Sequence, residues 1–117
     1  METRPVTIVE TREFQARAAA LFSGEEIAEL IEFIAYHPTA GVVMPGAGGI
    51  RKLRWGARGR GRRGGARIVY FVHNETMPVF LFTACAKSAR DDLTPAETRT
   101  LRRLVEAIVT QYGVRIR

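Results

Sequence analysis

The chain has 117 residues, of which 18 are Lys or Arg and 12 are Asp or Glu, so its net charge is +6. This length suits one domain, and a composition of 46% hydrophobic and 26% charged residues excludes a wholly disordered chain. No apolar run is long enough to span a membrane, so we expect a soluble cytoplasmic domain over residues 1–117. The single cysteine, Cys85, and the two histidines fit neither a disulfide nor a zinc site, so we expect no metal and no cofactor.

The first half of the chain predicts a short strand followed by two helices. Residues 5–10 alternate weakly between apolar and polar side chains, and residues 13–22 show helical spacing. Ser23 and Glu26 form a capping box, after which apolar residues repeat at helical spacing as far as His37. Residues 38–49 contain Pro and Gly and predict a loop.

The second half predicts three strands and a last helix. The strands, at 50–55, 66–73 and 78–85, are rich in Val, Ile, Phe and Tyr. Thr94, Pro95 and Glu97 are typical of a helix start. The fold class we predict is α+β, a small antiparallel sheet of about four strands with two N-terminal helices and one C-terminal helix on one face. The apolar stripe expected to bury the last helix consists of Leu101, Leu104, Val105, Ile108 and Tyr112.

The positive charge is concentrated in one segment. No acidic residue occurs between Glu32 and Glu75, and that segment carries +8, which leaves −2 for the rest of a chain whose net charge is +6. Eight of the eleven glycines lie between residues 46 and 65 of that segment. The segment could be a solvated loop that only aids solubility. Seven of its eight cations are Arg, however, and Arg binds phosphate bidentately, which favours nucleic acid over an anionic membrane surface.

Strand pairing would bring several of these cations to one edge of the sheet. A hairpin of 50–55 with 66–73 puts Arg54 opposite Arg67, and pairing of 66–73 with 78–85 puts Arg67 opposite Ala84. The cations could instead pair with the acidic residues at 91 and 92 or extend into water. The expected group consists of Arg51, Lys52, Arg54, Arg67 and Lys87, with Arg90 nearby.

A cationic site without metal ligands suits attack of an RNA 2′-hydroxyl on the adjacent phosphate. That reaction needs a proton acceptor, a donor for the leaving oxygen, and cations to stabilise the negatively charged transition state. Arg and Lys supply the cations. His37 and His73 are expected to be structural, because neither falls at the predicted edge.

The stretches GGIRKLRWGARGRGRRGGARIVYFV and FLFTACAKSARDDLTPAETRTLRRLVE resemble the RelE/HigB family of bacterial toxins, and most closely its HigB-like branch. The resemblance covers about residues 46–106. It implies a RelE-like α+β fold and a metal-independent endoribonuclease that cuts mRNA in the A site of a translating ribosome. It also implies neutralisation by a cognate helix-turn-helix antitoxin. Toxins of the same fold in the ParE group act on DNA gyrase instead, and an inactive nucleic-acid-binding domain is a further alternative.

The resemblance also implies roles for individual residues. Arg67 and Lys87 match residues that stabilise the phosphate, and Lys52 or Arg54 would assist proton transfer. The residues implied to bind RNA are Arg51, Arg58, Arg60, Arg62, Arg63 and Arg90.

Overall fold

A computed structural model describes residues 4–56, 65–74, 76–86 and 93–116, and these form five strands and three helices. In chain order they are β1 (Ile8–Glu10), α1 (Arg12–Leu21), α2 (Gly24–Tyr36), β2 (Val42–Val43), β3 (Ile50–Trp55), β4 (Ala66–Phe71), β5 (Val79–Ala86) and α3 (Pro95–Ile116). Within these ranges, no helix has the length and apolarity needed to cross a membrane.

The strands form one mixed sheet in the order β1-β5-β4-β3-β2. β2 to β5 pair antiparallel, whereas β1 pairs with β5 in parallel. The expected four-stranded antiparallel sheet is therefore wrong in two respects. Two helices separate β1 from the next strand, which allows a crossover to a parallel position. β2 has only two residues, too few to show an alternation, and it lies inside the predicted loop at 38–49.

One face of the sheet packs against α1 and α2. Phe14 of α1 and Leu30 and Ile34 of α2 are fully buried there. They belong to the same apolar cluster as Ile68 and Tyr70 of β4, which are also fully buried. This face is a closed hydrophobic core between the helix pair and the sheet.

The other face packs against α3, so the expectation that all helices share one face is wrong. Val105 of α3 clusters with Ile50, Phe71 and Phe80 of the sheet. All six residues of β4 are buried. A strand covered on both faces is mostly apolar and shows no clear period-two pattern from which its sides can be assigned.

Side-chain caps fix where α2 and α3 begin. The Ser23 Oγ accepts a hydrogen bond from the Glu26 N–H at 3.2 Å, and the Glu26 carboxylate accepts one from the Ser23 N–H at 2.8 Å. Thr94 and Glu97 repeat this arrangement at the start of α3. Both predicted capping boxes are confirmed.

The predicted apolar stripe of α3 needs one correction. Leu104 is 44% exposed, whereas Val105 is 3% exposed. Residues 101, 105, 108 and 112 fall within a narrow arc of the helix and pack against the sheet, and Leu104 lies outside that arc. Val109, which the prediction omitted, packs against the sheet instead.

A β-bulge in β5 sets the strand pairing at the end of the sheet next to the basic loop, the Gly/Arg-rich stretch of residues 56–65 between β3 and β4 in the sequence. Tyr70 pairs with Leu81, but Val69 pairs with Thr83, so Phe82 is an extra residue in β5. Beyond this bulge Arg67 pairs with Cys85. The predicted register, with Ala84 opposite Arg67, is therefore one residue off.

Candidate functional site

Two cross-strand rows on the α3 face of the sheet contain charged and polar side chains, with one apolar residue, Val69, at the centre of the second row. The Arg67 row contains Arg54, Arg67 and Cys85, which are paired from β3 through β4 to β5. The neighbouring Lys52 row contains Lys52, Val69 and Thr83. Side chains of directly paired residues share a face, with Cβ atoms about 4.5–5.5 Å apart. The predicted pairing of Arg54 with Arg67 is confirmed.

Arg67 is the central cation of these rows. Its exposed fraction is 5%, and it is the only charged residue among the buried ones in the described part of the chain. Arginine remains charged inside proteins, and a cation largely removed from water attracts an anion more strongly than an exposed one does. A guanidinium here can hold a phosphate bidentately.

Two further cations lie next to Arg67 on β3. Arg54 is exposed, and its guanidinium makes no hydrogen bond or ion pair with the residues the structure describes. Lys52, two residues earlier, is partly buried on the same face. Cations this close repel one another, so bringing a polyanion to them relieves that repulsion.

The remaining predicted cations lie outside the described residues. β3 ends at Trp55 and β4 begins at Ala66, so the basic loop is attached at the same end of the sheet as the Arg67 row. Lys87 follows β5 directly in the sequence. The structure does not describe Arg58, Arg60, Arg62, Arg63, Lys87 or Arg90.

Arg51 lies apart from this group, which corrects the expected shared edge. It alternates with Lys52 and so points to the α1/α2 face, as Leu53 does. Its Nη1 donates hydrogen bonds to the carbonyl oxygens of Thr39 at 3.2 Å and Gly41 at 2.8 Å. This guanidinium therefore fastens the segment before β2.

Neither histidine belongs to the two rows. His37 ends α2, and its ring lies 4.8 Å from that of Phe33. His73 follows β4 at the end of that strand opposite to Arg67, with its ring 6.1 Å from that of Phe71. Both are exposed. The structural role expected for both histidines stays a prediction.

A cavity of about 280 Å³ on the α1/α2 side is lined by Glu26, Glu29, Trp55 and Gly56. Its two carboxylates disfavour an anionic ligand, so this cavity does not suit a phosphate group. Within the described ranges, no group of three or more His, Cys, Asp or Glu residues could hold a metal ion.

Thr83 and Cys85 are the members of the two rows that sequence reasoning missed. An unbulged pairing of β4 with β5 assigns both of them to the α1/α2 face. Only the extra residue at Phe82 turns them to the α3 face beside Arg67. The Cys85 thiol lies 4.0 Å from the Arg67 carbonyl oxygen, measured from Sγ to O.

No protein-family model matches this sequence. Among solved structures, the chain is similar to a mutant of the E. coli toxin RelE in the free state, with a TM-score of 0.54 and 19% sequence identity. The match covers 73% of this chain and 86% of that chain. At this identity the likeness shows the fold alone. The prediction of a RelE-like α+β fold is confirmed, and the closer relation to the HigB-like branch stays a prediction.

Proposed function

We propose that this protein is the toxin of a toxin–antitoxin pair, an endoribonuclease that cuts mRNA on the ribosome and so inhibits translation. The observation that carries the proposal is the pair Arg54 and Arg67. Both side chains lie on one face of a RelE-like sheet, at the end where the basic loop is attached. The HigB-like sequence blocks support the same conclusion.

The chemistry proposed is attack of an RNA 2′-hydroxyl on the adjacent phosphate, without a metal ion. Arg67 holds the phosphate and stabilises the charge that grows on its oxygens in the transition state. Arg54 contributes a second cation from the exposed side. As the 2′ oxygen bonds to phosphorus, the bond from phosphorus to the 5′ oxygen breaks and the 2′-hydroxyl proton passes to water. Lys52 or Arg54 assists transfer of a proton to the leaving 5′ oxygen, Lys52 by donating it and Arg54 by hydrogen bonding alone, because arginine stays charged. Lys87 is proposed to help hold the phosphate.

The proposed partners follow from the charge distribution and the resemblance. The loop arginines and Arg90 bind ribosomal RNA, since each phosphate they neutralise releases counterions. A helix-turn-helix antitoxin neutralises the protein. The site of action is the cytoplasm, where ribosomes translate mRNA.

The proposal is tested by mapping new RNA 5′ ends in bacterial cells after brief induction. The wild-type protein is expected to produce cuts within translated codons, and Arg67→Ala is expected to lower their number at least 100-fold, in the range reported for loss of a single transition-state donor. Arg67→Lys keeps the charge but loses the bidentate geometry, so a loss of more than about tenfold is expected. The matched control is Arg99→Ala, which removes an exposed arginine of α3.

Because Arg67 is buried, thermal unfolding and antitoxin binding of each variant are measured alongside. A folded Arg67→Ala protein that cuts as well as the wild type contradicts the proposed role of Arg67. Growth arrest without cuts contradicts the endoribonuclease. Supercoiling by gyrase is then measured with purified protein, and inhibition identifies a non-cleaving toxin.

A further inference from the structure

The β5 bulge at Phe82 is held in place by a contact from outside the sheet. The Thr11 hydroxyl lies 2.9 Å from the carbonyl oxygen of Leu81 and 3.1 Å from that of Phe82, and it donates to both. The same oxygen accepts a hydrogen bond from the Phe14 N–H and so caps α1. The bulge is therefore supported by the start of a helix. Bulges of this kind re-aim the side chains that follow them.

The bulge changes the face of the sheet to which two small neutral side chains point. Thr83 and Cys85 lie on the α3 face, beside Val69 and Arg67. β1 pairs with β5 only as far as Leu81, so on the edge of β5 away from β4 no described strand flanks Thr83 and Cys85. Both side chains are partly exposed. The Thr83 hydroxyl makes no hydrogen bond with the residues that the structure describes, so it can donate and accept toward a ligand.

The two rows therefore change in chemistry from β3 to β5. Cations occupy β3 and the centre of the Arg67 row, and neutral side chains occupy β5. A phosphate drawn to Arg54 and Arg67 would have a neutral surface on its β5 side. A nucleobase suits that surface, because it is uncharged, has a flat apolar face and carries hydrogen-bonding groups along its edge.

We propose that Thr83 and Cys85 form a nucleobase subsite, in which the Thr83 hydroxyl hydrogen-bonds the edge of the base next to the phosphate held by Arg67. The Cys85 side chain limits the depth of the subsite and leaves room for the base. This inference rests on the proposed endoribonuclease function. It adds that Thr83 and Cys85 of β5 determine which base is preferred at the cut, whereas the cations Lys52, Arg54 and Arg67 are on β3 and β4.

The experiment compares base frequencies at the nucleotides flanking each cut in the 5′-end maps of wild type, Thr83→Val and Thr83→Ser. Val has the shape of Thr without the hydroxyl, whereas Ser keeps the hydroxyl. Thr83→Val is expected to lower the ratio of cuts at the preferred base to cuts at the other bases about fivefold, the worth of one hydrogen bond. Thr83→Ser is expected to keep the wild-type ratio. Thr100→Val, on the exposed side of α3, is the matched control.

Filling the subsite provides a second, independent test. Cys85→Leu adds bulk beside Arg67 and is expected to lower cutting at purines about tenfold more than cutting at the smaller pyrimidines, the lower end of the difference that one methylene group makes in a hydrophobic pocket. Thermal unfolding of each variant checks that it is folded.

Failure of the inference differs from failure of the proposed function. If the wild-type protein produces no cuts, the endoribonuclease itself is wrong. If it cuts but shows no base preference, or if Thr83→Val keeps the wild-type ratio, the subsite is wrong and the endoribonuclease stands. An equal loss of cuts at all bases in Thr83→Val would mean that Thr83 has only a structural role, and this also overturns the subsite.

Discussion

The two faces of the sheet use the same kind of side chain for different purposes. On the α1/α2 face, Arg51 is tied to backbone carbonyl oxygens of the chain itself. On the α3 face, Arg54 is exposed and lies beside the buried Arg67. Both Arg51 and Arg54 belong to β3, so the alternation of one strand assigns one cation to holding the fold and the other to a surface.

The two faces also differ in how far their apolar side chains extend along β4. The α1/α2 cluster runs the length of β4, from Ala66 through Ile68 to Tyr70. The cluster under α3 includes Val69 and Phe71 of β4, whereas Arg67 occupies the same face at the other end. An apolar face supplies stability, and a polar end of a face is available for binding. Substitutions on the two faces should therefore have separate effects on stability and on the proposed binding of RNA.

The largest effect is expected for Phe14→Ala, which empties a fully buried position of the α1/α2 face. Removing a buried phenyl ring lowers the free energy of unfolding by about 3–5 kcal/mol, because apolar contacts are lost and a cavity is left. Urea denaturation measures the change. Leu104→Ala, at a position that is 44% exposed, is the control and should change stability by less than about 0.5 kcal/mol. A loss below about 1 kcal/mol for Phe14→Ala would mean that this face is not the main core.

A smaller effect is expected for Tyr70→Phe on the same face. The Tyr70 phenol oxygen accepts a hydrogen bond from the Gly41 N–H at 2.9 Å and donates one to the Pro38 carbonyl oxygen at 2.8 Å. Loss of the hydroxyl leaves the Gly41 N–H and the Pro38 carbonyl oxygen without this partner, so the free energy of unfolding should fall by about 1–3 kcal/mol. Tyr36→Phe, on a side chain that is 41% exposed, should have little effect.

The stability lost in Tyr70→Phe should also depend on pH. Burial raises the pKa of the Tyr70 phenol above its ordinary value of 10.0, although the hydrogen bond from Gly41 and the charge of Arg51 act in the opposite direction. The unfolded chain therefore loses this proton at lower pH than the folded one. The stability that the neutral phenol contributes is complete below pH 10 and declines as the pH rises through the folded-state pKa. The difference between wild type and Tyr70→Phe should shrink in that range, and a constant difference would contradict the shift.

The sequence was sufficient where local chemistry decides the structure. Both capping boxes could be read from four-residue patterns, and β3 was predicted with the bounds that the structure gives it. The pairing of Arg54 with Arg67 followed from the hairpin alone. The bulge at Phe82 could not be predicted, because it is supported by Thr11, about 70 residues earlier in the chain. Contacts of that separation leave no periodic signal, so the part of the candidate site beyond the bulge was assigned to the wrong face.

The smallest changes in the free energy of unfolding are expected from two substitutions in β3. These two also distinguish the roles of the two faces most clearly. Arg51→Ala should lower the free energy of unfolding by about 1 kcal/mol, since two hydrogen bonds to partly exposed carbonyl oxygens are lost. Arg54→Ala should change it by less than about 0.5 kcal/mol, because the side chain is exposed and makes no hydrogen bond or ion pair with a described residue.

RNA binding should show the reverse order. Binding of a short single-stranded RNA, followed by fluorescence anisotropy across a salt series, gives a slope of log affinity against log salt. Each phosphate contact contributes about 0.7 to that slope in single strands, so Arg54→Ala should lower its magnitude by about that amount and Arg51→Ala should leave it unchanged. Equal slopes for the two variants would mean that the α3 face is not where RNA binds. A slope lowered only by Arg51→Ala would move the binding surface to the side of α1 and α2, where the carboxylates of Glu26 and Glu29 oppose it.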